Sequence, residues 1–166
     1  MSKKGLFQRG ANLSDNKENN KPKDTQKPTP SVLSINICDT VIRDELTKKI
    51  SLIGLFNTIR AQRFPCTHTG LHVHVAMTNG HGKYKMEVRF SKLEEDKAIA
   101  GIQGDLNFQN PLQVVELNFS SPPLRFDKPG QYVVEVFCDG AQIQTRKFRV
   151  IGSRQKIPPT SGTEAG

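Results

Sequence analysis

The chain has 166 residues, 35% of them apolar, and a formal net charge of +8. That length holds one domain with tails, and no run is long and apolar enough for a membrane-spanning helix. The opening MSKKGLFQRG has no apolar signal-peptide core, so the expectation is a cytoplasmic protein without membrane association.

Residues 1–31 contain only Met1, Leu6, Phe7, Ala11 and Leu13 as apolar side chains. So little burial cannot offset the entropy of ordering, and the stretch is predicted to be a disordered basic tail. It carries seven basic residues against three acidic ones: Lys3, Lys4, Arg9, Lys17, Lys21, Lys23 and Lys27. These are candidate contacts to a polyanion such as nucleic acid. The plainer reading is a solubilising arm, because the lysines are scattered and Phe7 is the one aromatic among them. Residues 152–166 are polar and predicted to be a second disordered tail.

The body, residues 32–151, reads as strands. Val32–Ile42 is rich in Val and Ile, and 43–49 closes a turn. Ile50–Ile59 is apolar on both parities, as expected of one strand covered on both faces. Residues 61–70 read as loop. Leu71–Thr78 alternates, with Leu71, Val73, Val75 and Met77 inward and His72 and His74 toward solvent. Asn79–Gly82 supplies turn residues, and Lys83–Lys92 puts Tyr84, Met86, Val88 and Phe90 inward. The expectation is a β-hairpin over 71–92. Ala98–Phe108 is interrupted by Gly101 and Gly104, which predicts a bulged edge strand. Residues 111–119 form another strand, and 120–130 a connection. Gln131–Cys138 and Ala141–Val150 form a closing hairpin about an Asp139-Gly140 turn. A parity slip in the last strand predicts a bulge near Arg146–Lys147. About eight strands with frequent turns imply an all-β, antiparallel, immunoglobulin-like sandwich.

Three cysteines, an odd number without CxxC spacing, suit free thiols. Cys38 and Cys138 read as small buried hydrophobes, whereas Cys66 beside a loop histidine is the candidate reactive thiol. Cys66, His68, His72 and His74 form the one constellation with metal-ligand character, since an H-x-H pair lies on one strand face. The alternative is two histidines on a solvated face. Asp44–Glu45 and Glu94–Asp96 fall in turns and read as solubilising rather than as general acids. Arg60, Arg63, Lys83, Lys85 and Arg89 would form a basic patch only if their strands met. With Glu87 among them, a mixed charged surface is favoured. No nucleophile elbow or phosphate-binding loop is present.

Cys38-Asp39, Arg43-Asp44-Glu45, the run from Lys49 to Phe56, Phe64-Pro65, and Pro129–Tyr132 with Asp139-Gly140 together resemble a family of small uncharacterised bacterial proteins, a domain of unknown function. The resemblance covers residues 33–151. It implies a β-sandwich and no known activity. Within such a sandwich Tyr132, two residues after Gly130, is similar to a corner tyrosine tying a loop to a strand start. The expected function is a non-enzymatic interaction or scaffold module without a cofactor. It would present a strand edge or loops to a protein partner, or to a second copy of itself. Nucleic-acid binding through the arm and metal binding through the histidines are the alternatives.

Overall fold

A computed structural model describes residues 27–95 and 97–153. Among these the chain is all-β: eleven strands and no helix. In chain order they are β1 (Ser31–Arg43), β2 (Ile50–Leu55), β3 (Thr58–Ala61), β4 (Cys66–His68), β5 (His72–Thr78) and β6 (Gly82–Lys92). There follow β7 (Ala98–Phe108), β8 (Val115–Ser120), β9 (Leu124–Phe126), β10 (Gly130–Cys138) and β11 (Ala141–Gly152). They form a four-stranded sheet, β2-β1-β5-β8, and a five-stranded sheet, β3-β11-β10-β6-β7. A small third sheet pairs β4 with β9.

The count exceeds the eight strands expected from sequence for three physical reasons. The apolar run 50–59 is two strands, not one. Gly54 adopts φ of +68°, available to glycine without strain. The chain then leaves the first sheet at Phe56–Asn57 and enters the second as β3. Residues 61–70 and 120–130, read as connections, each contribute a three-residue strand, and these two pair with each other.

The two large sheets share one core. Ile37, Leu71, Val73, Val75 and Met77 of the first meet Met86, Val88, Phe90, Val134 and Val136 of the second, all fully buried or nearly so. Strand phases therefore follow the alternation. The hairpin expected over 71–92 does not form: β5 lies in one sheet and β6 in the other. Both strands bury their apolar side, so the turn at 79–82 is an arch over the core rather than a hairpin. Positive φ at Asn79 (62°) and Gly82 (75°) supports that arch. Asn79 N–H donates to the Pro111 carbonyl at 2.9 Å.

The Asp139-Gly140 turn joins β10 to β11 as expected, with Cys138 opposite Ala141 and φ of 47° and 85° at the two turn residues. The bulge in β11 is displaced from the expected Arg146–Lys147. Val136 faces Gln144 and Phe137 faces Gln142, so Ile143 is the extra residue. Arg146 consequently shares the inward phase of Phe148, and its guanidinium donates to the Ile35 carbonyl across the sheets. In β7 the register also slips away from the glycines, between Phe90 and Ser91 of its partner β6. Gly104 instead makes room for the Phe119 ring, 3.3 Å from where a Cβ would stand.

Contacts with the body extend ahead of Val32. Lys27 forms an ion pair with Asp139 at 2.8 Å, donates to the Lys83 carbonyl and lies 3.5 Å above the Tyr84 ring. The Tyr84 hydroxyl donates to the Pro28 carbonyl at 2.6 Å and accepts from His81 N–H at 2.9 Å. At the other end Gly152 completes β11, and Ser153 N–H donates to the Ala61 carbonyl at 2.8 Å.

Candidate functional site

Three regions carry the side chains singled out from sequence. The first is the outward face of the four-stranded sheet. Because Val73 and Val75 point into the core, His72 and His74 share the opposite face of β5. His72 Nδ1 lies 3.1 Å from Ser120 Oγ of the neighbouring β8. His74 is 4% exposed, not solvated as expected. It stands in a central strand, between Asn36 of β1 and Asn118 of β8, and these flanking strands shield it. Its Nε2 is 3.5 Å from Glu116 Oε1, too far for a hydrogen bond, and both ring nitrogens are without a partner.

Burial holds the His74 imidazole below its ordinary value of 6.5. The Glu116 carboxylate opposes that shift, and Arg43 reinforces it. Burial lowers His68 in the same way, with Asp39 opposing. A histidine whose folded pKa is depressed takes up fewer protons folded than unfolded, so stability falls as pH drops below 6.5. His74→Gln is expected to flatten that acid-side decline, measured as urea midpoints across pH 5–7 (about two units). A slope unchanged in the variant would rule out His74 as its source.

On the same outward face, at its rim, β2 is an edge strand. Thr40 faces Ile53 and Cys38 faces Leu55, so Ile42, Ile53 and Leu55 lie together. They are 49%, 49% and 58% exposed. No residue of β2 is charged. Sequence reading missed this stripe because a run apolar on both parities was expected to be covered on both faces.

The second region is a cleft of about 560 Å³ beside β3 and β4. Ile59, Ala61 and Pro65 contribute its apolar part. Arg60, Arg63, Thr67 and His68 contribute the polar part. The Phe64–Pro65 peptide between the two strands is cis. His68 packs edge-on against Phe56, centroids 5.7 Å apart, and its Nε2 is buried without a hydrogen-bond partner. Cys66 also lines the cleft, but burial raises its thiol pKa, which leaves the unreactive thiol form dominant. Cys38 and Cys138 are buried and free, with Cys138 pushed up to about 11 by burial.

The third region is the corner at the start of β10. The Tyr132 hydroxyl donates to the Lys128 carbonyl at 2.8 Å, while Gly130 opens the strand. Tyr132→Phe is expected to cost about 1 kcal/mol, the net worth of one buried hydrogen bond. Denaturant titration checks it, and no measurable change would mean the carbonyl finds another donor.

Cys66 and His68 lie on β4, whereas His72 and His74 lie on the outward face of β5. Among the described residues no three His, Cys, Asp or Glu side chains come together to hold a metal. Of the arm's basic residues, Lys3, Lys4, Arg9, Lys17, Lys21 and Lys23 fall outside the described residues. Lys27 is fixed to Asp139 and Tyr84. The five-residue basic patch does not assemble: Arg60 and Arg63 line the cleft, while Lys83, Lys85 and Arg89 lie on β6, three strands from β3. Asp44 stays ionised, lowered by hydrogen bonds from Thr47, and ties the β1–β2 turn.

These features define an all-β protein with a shared two-sheet core, one undefended apolar edge and one arginine-lined cleft. The chain belongs to a family of unknown function, DUF6941, which matches residues 33–151. No curated protein matches it. Among solved structures, it is similar to the Pseudomonas fluorescens alkylpurine DNA glycosylase AlkC bound to DNA containing an abasic site analog. That likeness covers 70% of this chain and 30% of the other, at 10% identity and a TM-score of 0.37. It is too loose to carry an argument about fold or function.

Proposed function

We propose that the protein is a non-enzymatic interaction module, an immunoglobulin-like sandwich that takes an extended segment of a protein partner along β2. The carrying observation is the composition of that edge. Natural edge strands are defended by charge, proline, short length or cover. β2 has six residues, none charged, flanked by exposed Ile42, Ile53 and Leu55. β8, the far edge of the same sheet, carries Glu116, and β7 is the long edge expected from its glycines. β7 carries Asp105 and is approached by β8 and β9, so it is less open than β2. Strand addition gives affinity through main-chain hydrogen bonds and specificity through alternate side chains. The corner at Tyr132 supports the immunoglobulin-like assignment.

The test substitutes Ile53→Lys, which places a charge on the apolar stripe without touching the core. The variant should lose the partner that wild-type protein retains, or the dimer it forms in a sedimentation experiment, while keeping the wild-type unfolding curve. Partner retention identical in both proteins would overturn the proposal. So would retention that depends only on residues 1–26. Among the described residues no comparable feature favours metal binding.

A further inference from the structure

The cleft beside β3 and β4 is separate from the β2 edge and has a chemistry of its own. Arg60 projects outward from β3, between buried Ile59 and Ala61. Arg63 follows in the loop, and the chain then returns as β4, bringing Thr67 and His68 to the same cleft. No Asp or Glu lines it. Among the described residues, neither arginine makes an ion pair, although five other pairs are formed. Arg60 and Arg63, both exposed, therefore border a cavity whose lining residues include no carboxylate to neutralise them.

We infer that this cleft is a binding site for a phosphate group, free or carried by a small organic molecule, held by Arg60 and Arg63 with His68 and Thr67 as further hydrogen-bonding groups. The guanidinium fork matches phosphate oxygens bidentately. A volume of about 560 Å³ exceeds what a bare phosphate fills and lies in the range of small-molecule pockets. The exposed Pro65 ring offers an apolar surface to an organic body attached to the phosphate.

The experiment is calorimetric titration of the full chain with inorganic phosphate, ribose 5-phosphate and ribose. The His68 ring resonances are followed by NMR in parallel. Both phosphate compounds should bind and shift His68, and ribose should not. Tighter binding of ribose 5-phosphate would identify an esterified ligand, and equal affinities a free oxyanion. Arg60→Ala and Arg63→Ala should each weaken binding by about tenfold or more, the loss of one charge-assisted contact. Lys147→Ala, which removes an equal charge from an exposed position on β11, should leave it unchanged. The inference is overturned if neither phosphate compound binds at about 10 mM. It is also overturned if Lys147→Ala weakens binding as much as the arginine variants do. A third overturning result is a single-stranded oligonucleotide that binds more tightly through the same arginines with a steep salt dependence, for the site would then serve nucleic acid.

Discussion

Phe126→Ala is expected to lower the unfolding free energy by about 3–5 kcal/mol, the range for deleting a fully buried aromatic ring. Phe126 has no exposed surface. Its ring meets Tyr132 edge-on at 4.8 Å and Phe148 at 6.1 Å, and those two stack at 5.8 Å. The three rings join β9, β10 and β11. β9 has three residues and pairs with β4, so buried Leu124 and Phe126 anchor it in the core. Against a typical domain stability of about 5–15 kcal/mol, that loss is a large fraction. A urea titration should show the midpoint fall with little change in slope. A cost below about 1 kcal/mol would mean that Tyr132 and Phe148 close over the gap. Because β4 carries His68, the same variant should also loosen the cleft.

Gly80→Ala is expected to cost about 1–3 kcal/mol through overpacking. Gly80 lies in the arch between β5 and β6, and a methyl group there would overlap the Phe108 ring. The ring has no easy retreat. It is buried, it meets Tyr84 edge-on at 5.9 Å, and the Tyr84 hydroxyl is itself held between His81 and Pro28. The check is a double-mutant cycle with Phe108→Leu, whose smaller side chain frees volume. The two changes together should cost less than their sum. Strict additivity would show that the arch, not the ring, gives way.

Strand phase was legible in the sequence because a period of two reports directly on burial. Leu71, Val73, Val75 and Met77 in β5, and Tyr84 through Phe90 in β6, lie where alternation puts them. Partner choice was not legible, because alternation fixes a face and says nothing of the neighbour. Two amphipathic strands joined by a four-residue turn read equally well as a hairpin or as an arch. A continuous apolar run had the same ambiguity: 50–59 suited a covered strand, and it proved to be an edge followed by a crossing. His74 was misplaced because pattern reading treats the outward face as solvated, whereas a central strand is shielded by its neighbours' side chains. The cleft residues were visible as types, Arg60, Arg63 and His68, but their convergence depends on the fold-back of the loop around Pro65. The Asp139-Gly140 turn was read correctly because positive φ at both positions leaves few residue choices.

The parallel pairing of β11 with β3 sets when folding can finish. Thr58 lies beside Arg149 and Ala61 beside Gly152, partners about ninety residues apart in the chain. Loop-closure entropy of that length must be met before the pairing contributes, which favours slow, high-contact-order folding. During synthesis β3 therefore emerges long before the strand that covers it, and its edge stays open until residue 152 has left the ribosome. Truncation upstream of β11 would leave that edge permanently unpaired, so fragments of this protein should aggregate where the intact body does not.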